Sequence, residues 1–258
     1  MTRLSLAAGS VLDAAADEVV RAAAGAGFDA VGLRLSDHHA LDVSRRADLR
    51  RLATDLGVDI HDAEVHRIGA AAADVDPLLD AAAELGAEFV LVVSDLPDLG
   101  ATCDALADVV ARAAARGLRV GLEYMAWTTP TAPAAAVDLA ADTGAWVVVD
   151  LLHHHRVGAG PAELAAVVGS GRLGWVQLAD APAAAPADLV HEARHARFPP
   201  GEGDLPLHDL LARLPGDEVT VSVEVQSDEL SGRLGAGDRA RHLAAMARRV
   251  LDGVDERG

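Results

Sequence analysis

Eight short apolar runs, each followed by an Ala-rich helical stretch, predict an α/β chain folded as a single (β/α)8 barrel over residues 1–258. The repeat is about 32 residues long, so eight strand–helix units fill the chain. Glycines punctuate the ends of the helical runs, at Gly25 and Gly27, Gly57, Gly86, Gly117 and Gly144. The structural rival is a doubly wound open sheet. The count of eight and the lack of a glycine-rich phosphate loop after the first strand favour the barrel.

The elements follow in order. Arg3–Ala8 reads as the first strand and passes into a helix over 11–24. Ala30–Leu35 and Val58–Val65 are the next two strands, with helices over 42–56 and 76–85 after them. Glu88–Ser94 and Leu118–Tyr124 are strands four and five, followed by helices over 101–116 and 133–143. Trp146–Asp150, Leu173–Asp180 and Glu218–Gln226 complete the set, with helices over 161–168, 205–213 and 236–252. Residues 181–203 show no clear periodicity, and their position after strand seven puts them over the catalytic face as a loop.

Aromatic residues are only 3% of the chain, so Ala, Leu and Val must build the core. A formal net charge of −18 and no Lys/Arg-rich block argue against a nucleic-acid partner. No apolar stretch is long enough for a membrane helix, and the start of the chain enters a strand pattern without a cleavable signal. Cys103 stands alone in a helical pattern and reads as packing. These features predict a cytoplasmic protein.

In a barrel of this kind, functional residues sit at the C-terminal ends of the strands. Strands five to eight each close an apolar run on a side-chain oxygen: Glu123, Asp150, Gln177 with Asp180 beyond it, and Glu224. Val219, Val221 and Val223 share one face of strand eight, which turns Glu224 to the barrel axis. Val120 and Leu122 do the same for Glu123. Three carboxylates and one amide then converge. Converging carboxylates repel each other, and a dication relieves that repulsion. The all-oxygen set suits Mn2+ or Mg2+ better than Zn2+. Glu123, Asp150, Gln177 and Glu224 are therefore the candidate metal ligands.

The end of strand three, His61-Asp62-Ala63-Glu64-Val65-His66-Arg67, is dense in titratable groups, and Glu64, His66 and Arg67 are candidate substrate contacts. Tyr124 and Trp127 follow Glu123 and are placed to wall the pocket, Trp175 reads as core, and His38 with His39 reads as exposed rim.

Gly121-Leu122-Glu123, Asp150-Leu151-Leu152-His153, Trp175-Val176-Gln177-Leu178-Ala179-Asp180, Arg197-Phe198-Pro199-Pro200-Gly201-Glu202-Gly203 and Val223-Glu224-Val225 occur in that order. This ordered set resembles the xylose isomerase-like TIM barrel superfamily of sugar phosphate isomerases and epimerases. That group also holds inosose dehydratases, 3-dehydroshikimate dehydratases and endonuclease IV. The resemblance spans essentially the whole chain. It implies that Glu123, Asp150 and Glu224 are the family's three acidic metal ligands. It implies that His153 contacts substrate and acts as acid or base, and that Arg197 reaches substrate. Gln177 departs from the common pattern, because most sugar epimerases carry a ligating histidine there. The dehydroshikimate dehydratases resemble this chain in carrying Gln.

The resemblance implies a metal-dependent isomerase or epimerase acting on a small polyhydroxy carbonyl compound. In that reading Glu123 and Glu224 serve as base and acid on two faces of the substrate. The alternative is a dehydratase with His153 as base, which Gln177 favours. A non-catalytic sugar-binding barrel and a DNA repair nuclease are the remote alternatives, and the negative charge opposes the second. The family often assembles through barrel faces, which leaves a homo-oligomer open beside a monomer.

Overall fold

A computed structural model describes residues 2–35, 42–69, 74–216 and 219–255. Eight parallel strands close a barrel in chain order, with β1 (Arg3–Leu6) pairing both β2 (Ala30–Arg34) and β8 (Thr220–Val223). Between them lie β3 (Asp59–Ile68), β4 (Phe89–Ser94), β5 (Arg119–Glu123), β6 (Trp146–Asp150) and β7 (Leu173–Leu178). The connecting helices are α1 (Ala16–Ala26), α2 (Val43–Leu56), α3 (Asp76–Leu85), α4 (Leu99–Ala114) and α5 (Pro133–Thr143). The last three strands are each followed by a short helix and then a second one. These are α6 (Leu151–Arg156) and α7 (Pro161–Gly169), α8 (Leu189–His195) and α9 (Leu207–Leu211), and α10 (Asp228–Arg233) and α11 (Ala236–Asp255). The expected barrel is present.

The expected glycine stops act where they stand after a helix. Gly27 (φ 74°), Gly57 (φ 68°) and Gly86 (φ 80°) take the left-handed conformation that side-chain-bearing residues resist. Gly25 lies inside α1. The stretch 181–203, expected as loop, contains α8. Asp188 caps that helix by accepting from His191 N at 2.9 Å. At seven residues, α8 is too short to show helical periodicity.

Two apolar layers hold the barrel. The larger lies between strands and helices and takes Leu4, Leu6, Val31, Leu33, Val120, Leu122, Val221 and Val223. The smaller lies inside the barrel, where Phe89, Leu91, Val148 and Trp175 pack together. Trp175, fully buried as expected, meets the Phe89 ring at 4.9 Å. Gly121 makes room for that indole: a Cβ there would stand 2.3 Å from Trp175 Cζ3. Below this layer, Arg3 pairs with Glu88 at 2.6 Å, and Arg119 pairs with Glu88 at 3.0 Å while covering the Phe89 ring. The N-terminal mouth is thus closed by charge, and polar inward groups remain at the C-terminal end.

β3 departs from simple alternation. Its register slips against β2 between Val31 and Gly32, and against β4 between Ala63 and His66. Each slip reverses the facing of later side chains. Glu64, Val65 and Arg67 therefore line the upper cavity, while Ala63 and Ile68 join the outer core.

Candidate metal centre and active site

A cavity of about 260 Å³ opens at the C-terminal end of the barrel. Its lining includes Arg34, Glu64, Glu123, Trp127, His153 and Glu224, with Arg67 and Arg197 also contributing. Asp150 organises one wall. It ends β6 and is the N-cap of α6: its Oδ1 accepts from Leu152 N at 2.8 Å and His153 N at 3.1 Å. Its Oδ2 accepts from Arg197 Nη1 at 2.6 Å. One carboxylate thus both starts a helix and holds the Arg197 guanidinium. That short helix carries His153 inward, with Nε2 3.8 Å from Glu123 Oε1 and 3.9 Å from Asp150 Oδ2.

Arg197 is the internal counter-charge. Its Nη1 also donates to Glu224 O at 3.1 Å and lies 3.4 Å from Glu224 Oε2, while its Nε donates to Ala193 O at 2.7 Å. Ala193 is on α8, and Arg156 docks that helix through Glu192 at 2.7 and 2.8 Å. Arg197, expected as a substrate contact, lines the cavity but spends its guanidinium on holding two candidate ligands.

The proton balance follows from this wiring. Burial is the largest influence on the Asp150 carboxyl and pushes it up, but the charge of Arg197, joined by His153 and by hydrogen bonds from the His153 amide and Arg197, holds the group below its ordinary range. Among the described residues Glu123 has no Arg or Lys in ion-pair contact, and the more distant Arg197 lowers it only in part. Burial, reinforced by Glu224 and Asp150, drives it well above the usual range. Glu224 is pushed up to about 7, first by burial and then by Glu64 and Asp150, despite Arg197. Burial holds His153 down at about 4, so its imidazole is neutral at pH 7 and its close approaches to Glu123 and Asp150 are not ion pairs. The 3.3 Å contact between Arg197 Nη2 and His153 Nε2 agrees: the guanidinium donates and Nε2 accepts.

Gln177 stands in register between Asp150 on β6 and Ser222 on β8. Its Oε1 is buried without a hydrogen-bond partner among the described residues. An orphaned acceptor at the end of β7, with two carboxyls on β5 and after β8 that resist ionisation, is an arrangement that a cation would satisfy. The side chains of Glu123, Asp150, Gln177 and Glu224 all offer oxygen, the donor type a hard divalent ion takes. A second set overlaps with it: one ligand atom each from Glu123, Asp150 and His153 lie within 4.8 Å of one another. Glu123 and Asp150 belong to both sets.

The remaining expected residues divide. Trp127 lines the cavity and sets its ring perpendicular to His153 at 5.1 Å. Glu64 lines it and pairs with Arg34 at 3.1 Å, and Arg67 lines it while pairing with Asp95 at 2.6 Å. His66 does not line it. The register slip turns its ring to the helix side, where burial and the charge of Arg112 on α4 lower its pKa. Asp180 braces the loop after β7 by accepting from Ala181, Gly201 and Leu205 amides. His38 and His39 lie outside the described residues. Sequence reading missed Arg34, whose signal was present: Val31 and Leu33 face the helices, so Arg34 shares the inward face. It also missed Gln226, which donates to Glu224 Oε1 at 3.3 Å.

Comparison with known proteins places this geometry. Residues 20–250 match the family model of the xylose isomerase-like TIM barrel. The chain belongs to that family. A 3-dehydroshikimate dehydratase of Pseudomonas aeruginosa is 32% identical over 91% of this chain and 40% of its own length. A solved xylose isomerase-like TIM barrel/4-hydroxyphenylpyruvate dioxygenase fusion protein is 25% identical over 99% of this chain and 43% of its own, with a TM-score of 0.83. The chain thus spans less than half the length of both. A further structure of the family's fold, the IOLI protein crystallised with a bound zinc atom, is 16% identical and aligns over 98% of this chain and 99% of its own with a TM-score of 0.83. Among the described residues no helix is long and apolar enough to cross a membrane.

Proposed function

We propose that the chain is a divalent-metal-dependent dehydratase of the 3-dehydroshikimate type, acting on a small polyhydroxy carbonyl compound. The observation that carries this reading is Gln177, an amide at the end of β7 whose buried Oε1 has no hydrogen-bond partner among the described residues. The 32% identical dehydratase supports it. In this reading Glu123, Asp150, Gln177 and Glu224 hold Mn2+ or Mg2+, which supplies Lewis acidity to polarise the substrate carbonyl.

The chain's own groups do the rest. His153 is the base: it is neutral at pH 7 and lines the cavity, and its Nε2 lone pair, which accepts from Arg197 Nη2 at 3.3 Å, must part from that N–H to take a proton. It takes the C–H proton next to the carbonyl. The same proton, now on a buried imidazolium held acidic by its surroundings, passes to the leaving hydroxyl. The C–O bond breaks, a C=C bond forms, water departs and neutral His153 is restored. Arg197 keeps the ring in place and keeps Asp150 ionised for the metal. Trp127, Glu64 and Arg67 bound the substrate space. The related isomerase or epimerase reading uses the same proton abstraction, then returns a proton to carbon through Glu123 or Glu224.

Incubation of the Mn2+-loaded protein with 3-dehydroshikimate, and in parallel with a free ketose such as D-fructose, separates the two. The dehydratase reading expects a rising ultraviolet absorbance from a conjugated or aromatic product. Epimerised ketose with no new absorbance would replace it with the epimerase reading.

A further inference from the structure

The histidine that follows His153 has a separate task. His154 is fully buried, and its Nδ1 is 2.6 Å from Tyr124 Oη, while its Nε2 is 2.9 Å from Gly160 O. The Gly160 carbonyl only accepts, so Nε2 carries the ring proton and Nδ1 presents a lone pair. Tyr124 Oη must then donate. The result is one directional chain, Tyr124 O–H to His154 Nδ1 and His154 Nε2–H to Gly160 O. It joins three elements: the residue after Glu123 at the end of β5, the middle of α6, and the N-cap of α7, whose amide donates to Glu163 Oε2 at 2.9 Å.

α6 has six residues and is fixed at its start by Asp150. A helix this short takes its rotation about its axis from what grips it beyond the cap. Asp150 is the grip at one end, and His154 is the other. Because His153 and His154 are about 100° apart on the helix, holding one ring fixes the direction of the other. Tyr124 adjoins Glu123 just as His154 adjoins His153, so the phenol–imidazole bond ties the two cavity-facing neighbours together from behind.

We propose that Tyr124 and His154 are positioning residues that set the aim of His153 relative to Glu123. This rests on the reading of His153 as the base in the proposed reaction. Neither Tyr124 nor His154 lines the cavity.

The test uses two variants of the full chain, Tyr124→Phe and the double variant Tyr124→Phe/His154→Leu. The first leaves His154 Nδ1 buried and unpaired, and the second replaces both partners with apolar groups of similar shape. Three quantities are read: kcat against KM, the melting temperature, and the His153 Nε2 to Glu123 Oε1 distance in crystals. The proposal expects kcat to fall about tenfold in both variants, with KM within about twofold, since small misplacement of a reacting group is costly. It expects the double variant to regain most of the melting temperature but not kcat, and the 3.8 Å separation to widen in both. Recovery of kcat together with the melting temperature would reduce the pair to a packing role and overturn the proposal. So would an unchanged separation. The crystal distance needs no turnover, so it judges the positioning claim even if the reaction proves not to be dehydration.

Discussion

Replacing Arg197 with Met removes the one guanidinium that Asp150 and Glu224 share, at 2.6 and 3.4 Å, while keeping most of the side chain's volume. Asp150 keeps its two amide donors at the start of α6, but both carboxyls lose the internal cation. Breaking a buried pair from one side costs about 3–5 kcal/mol. For a chain of this size that lowers the melting temperature by about 10 °C. A dication in the same place supplies the missing positive charge, so the deficit should shrink when Mn2+ is saturating. It should also shrink at pH 5, where Glu224, already pushed up to about 7 in the native protein, is protonated. Melting curves of native protein and R197M, metal-free and with Mn2+, at pH 5 and 7.5, test all three points. A metal-free loss under about 3 °C, or an equal loss with and without Mn2+, would refute the argument that Arg197 and the metal balance the same carboxylates.

Three further outcomes follow from the same geometry. Glu224 has a native pKa raised above its unfolded value, so the native state binds more protons between about pH 4.5 and 7. The metal-free protein should therefore lose roughly 3 kcal/mol of stability as pH rises through that window, read by urea unfolding, and saturating Mn2+ should restore it. Gln177→Leu should weaken Mn2+ binding about tenfold by calorimetry without unfolding the barrel, because the lost acceptor has no other partner among the described residues. Gly121→Ala drives a methyl into the Trp175 ring and should cost about 3 kcal/mol, seen as a lower denaturation midpoint.

Strand order and the polar ends of β5 to β8 were legible because each buried parallel strand is a continuous apolar run. The inward polar residue that closes that run stands out against it. Glu123, Asp150, Gln177 and Glu224 could be named from this alone. The sequence resemblance then marked His153 and Arg197. β3 was misread at His66 because the second of its two register slips, between Ala63 and His66 and invisible in a single sequence, parts His66 from Glu64, which by simple alternation would share its face. α8 was hidden by its length, and with it the support for Arg197 through Ala193 O. Arg197 itself could be named but not given its role. Its pairing with Asp150 spans 47 positions of sequence and depends on how the loop after β7 returns to the barrel. The Tyr124–His154 bond shows the same limit: both residues were visible beside stronger candidates, and only the fold brings them to 2.6 Å.

A divalent ion at the ends of the last four strands is the centre of the proposed chemistry. Anomalous diffraction from a crystal soaked in Mn2+ measures this directly. One strong peak is expected, with oxygens of Glu123, Asp150, Gln177 and Glu224 all at about 2.0–2.3 Å. No peak in the barrel mouth, or a peak held without Asp150 and Glu224, would contradict it.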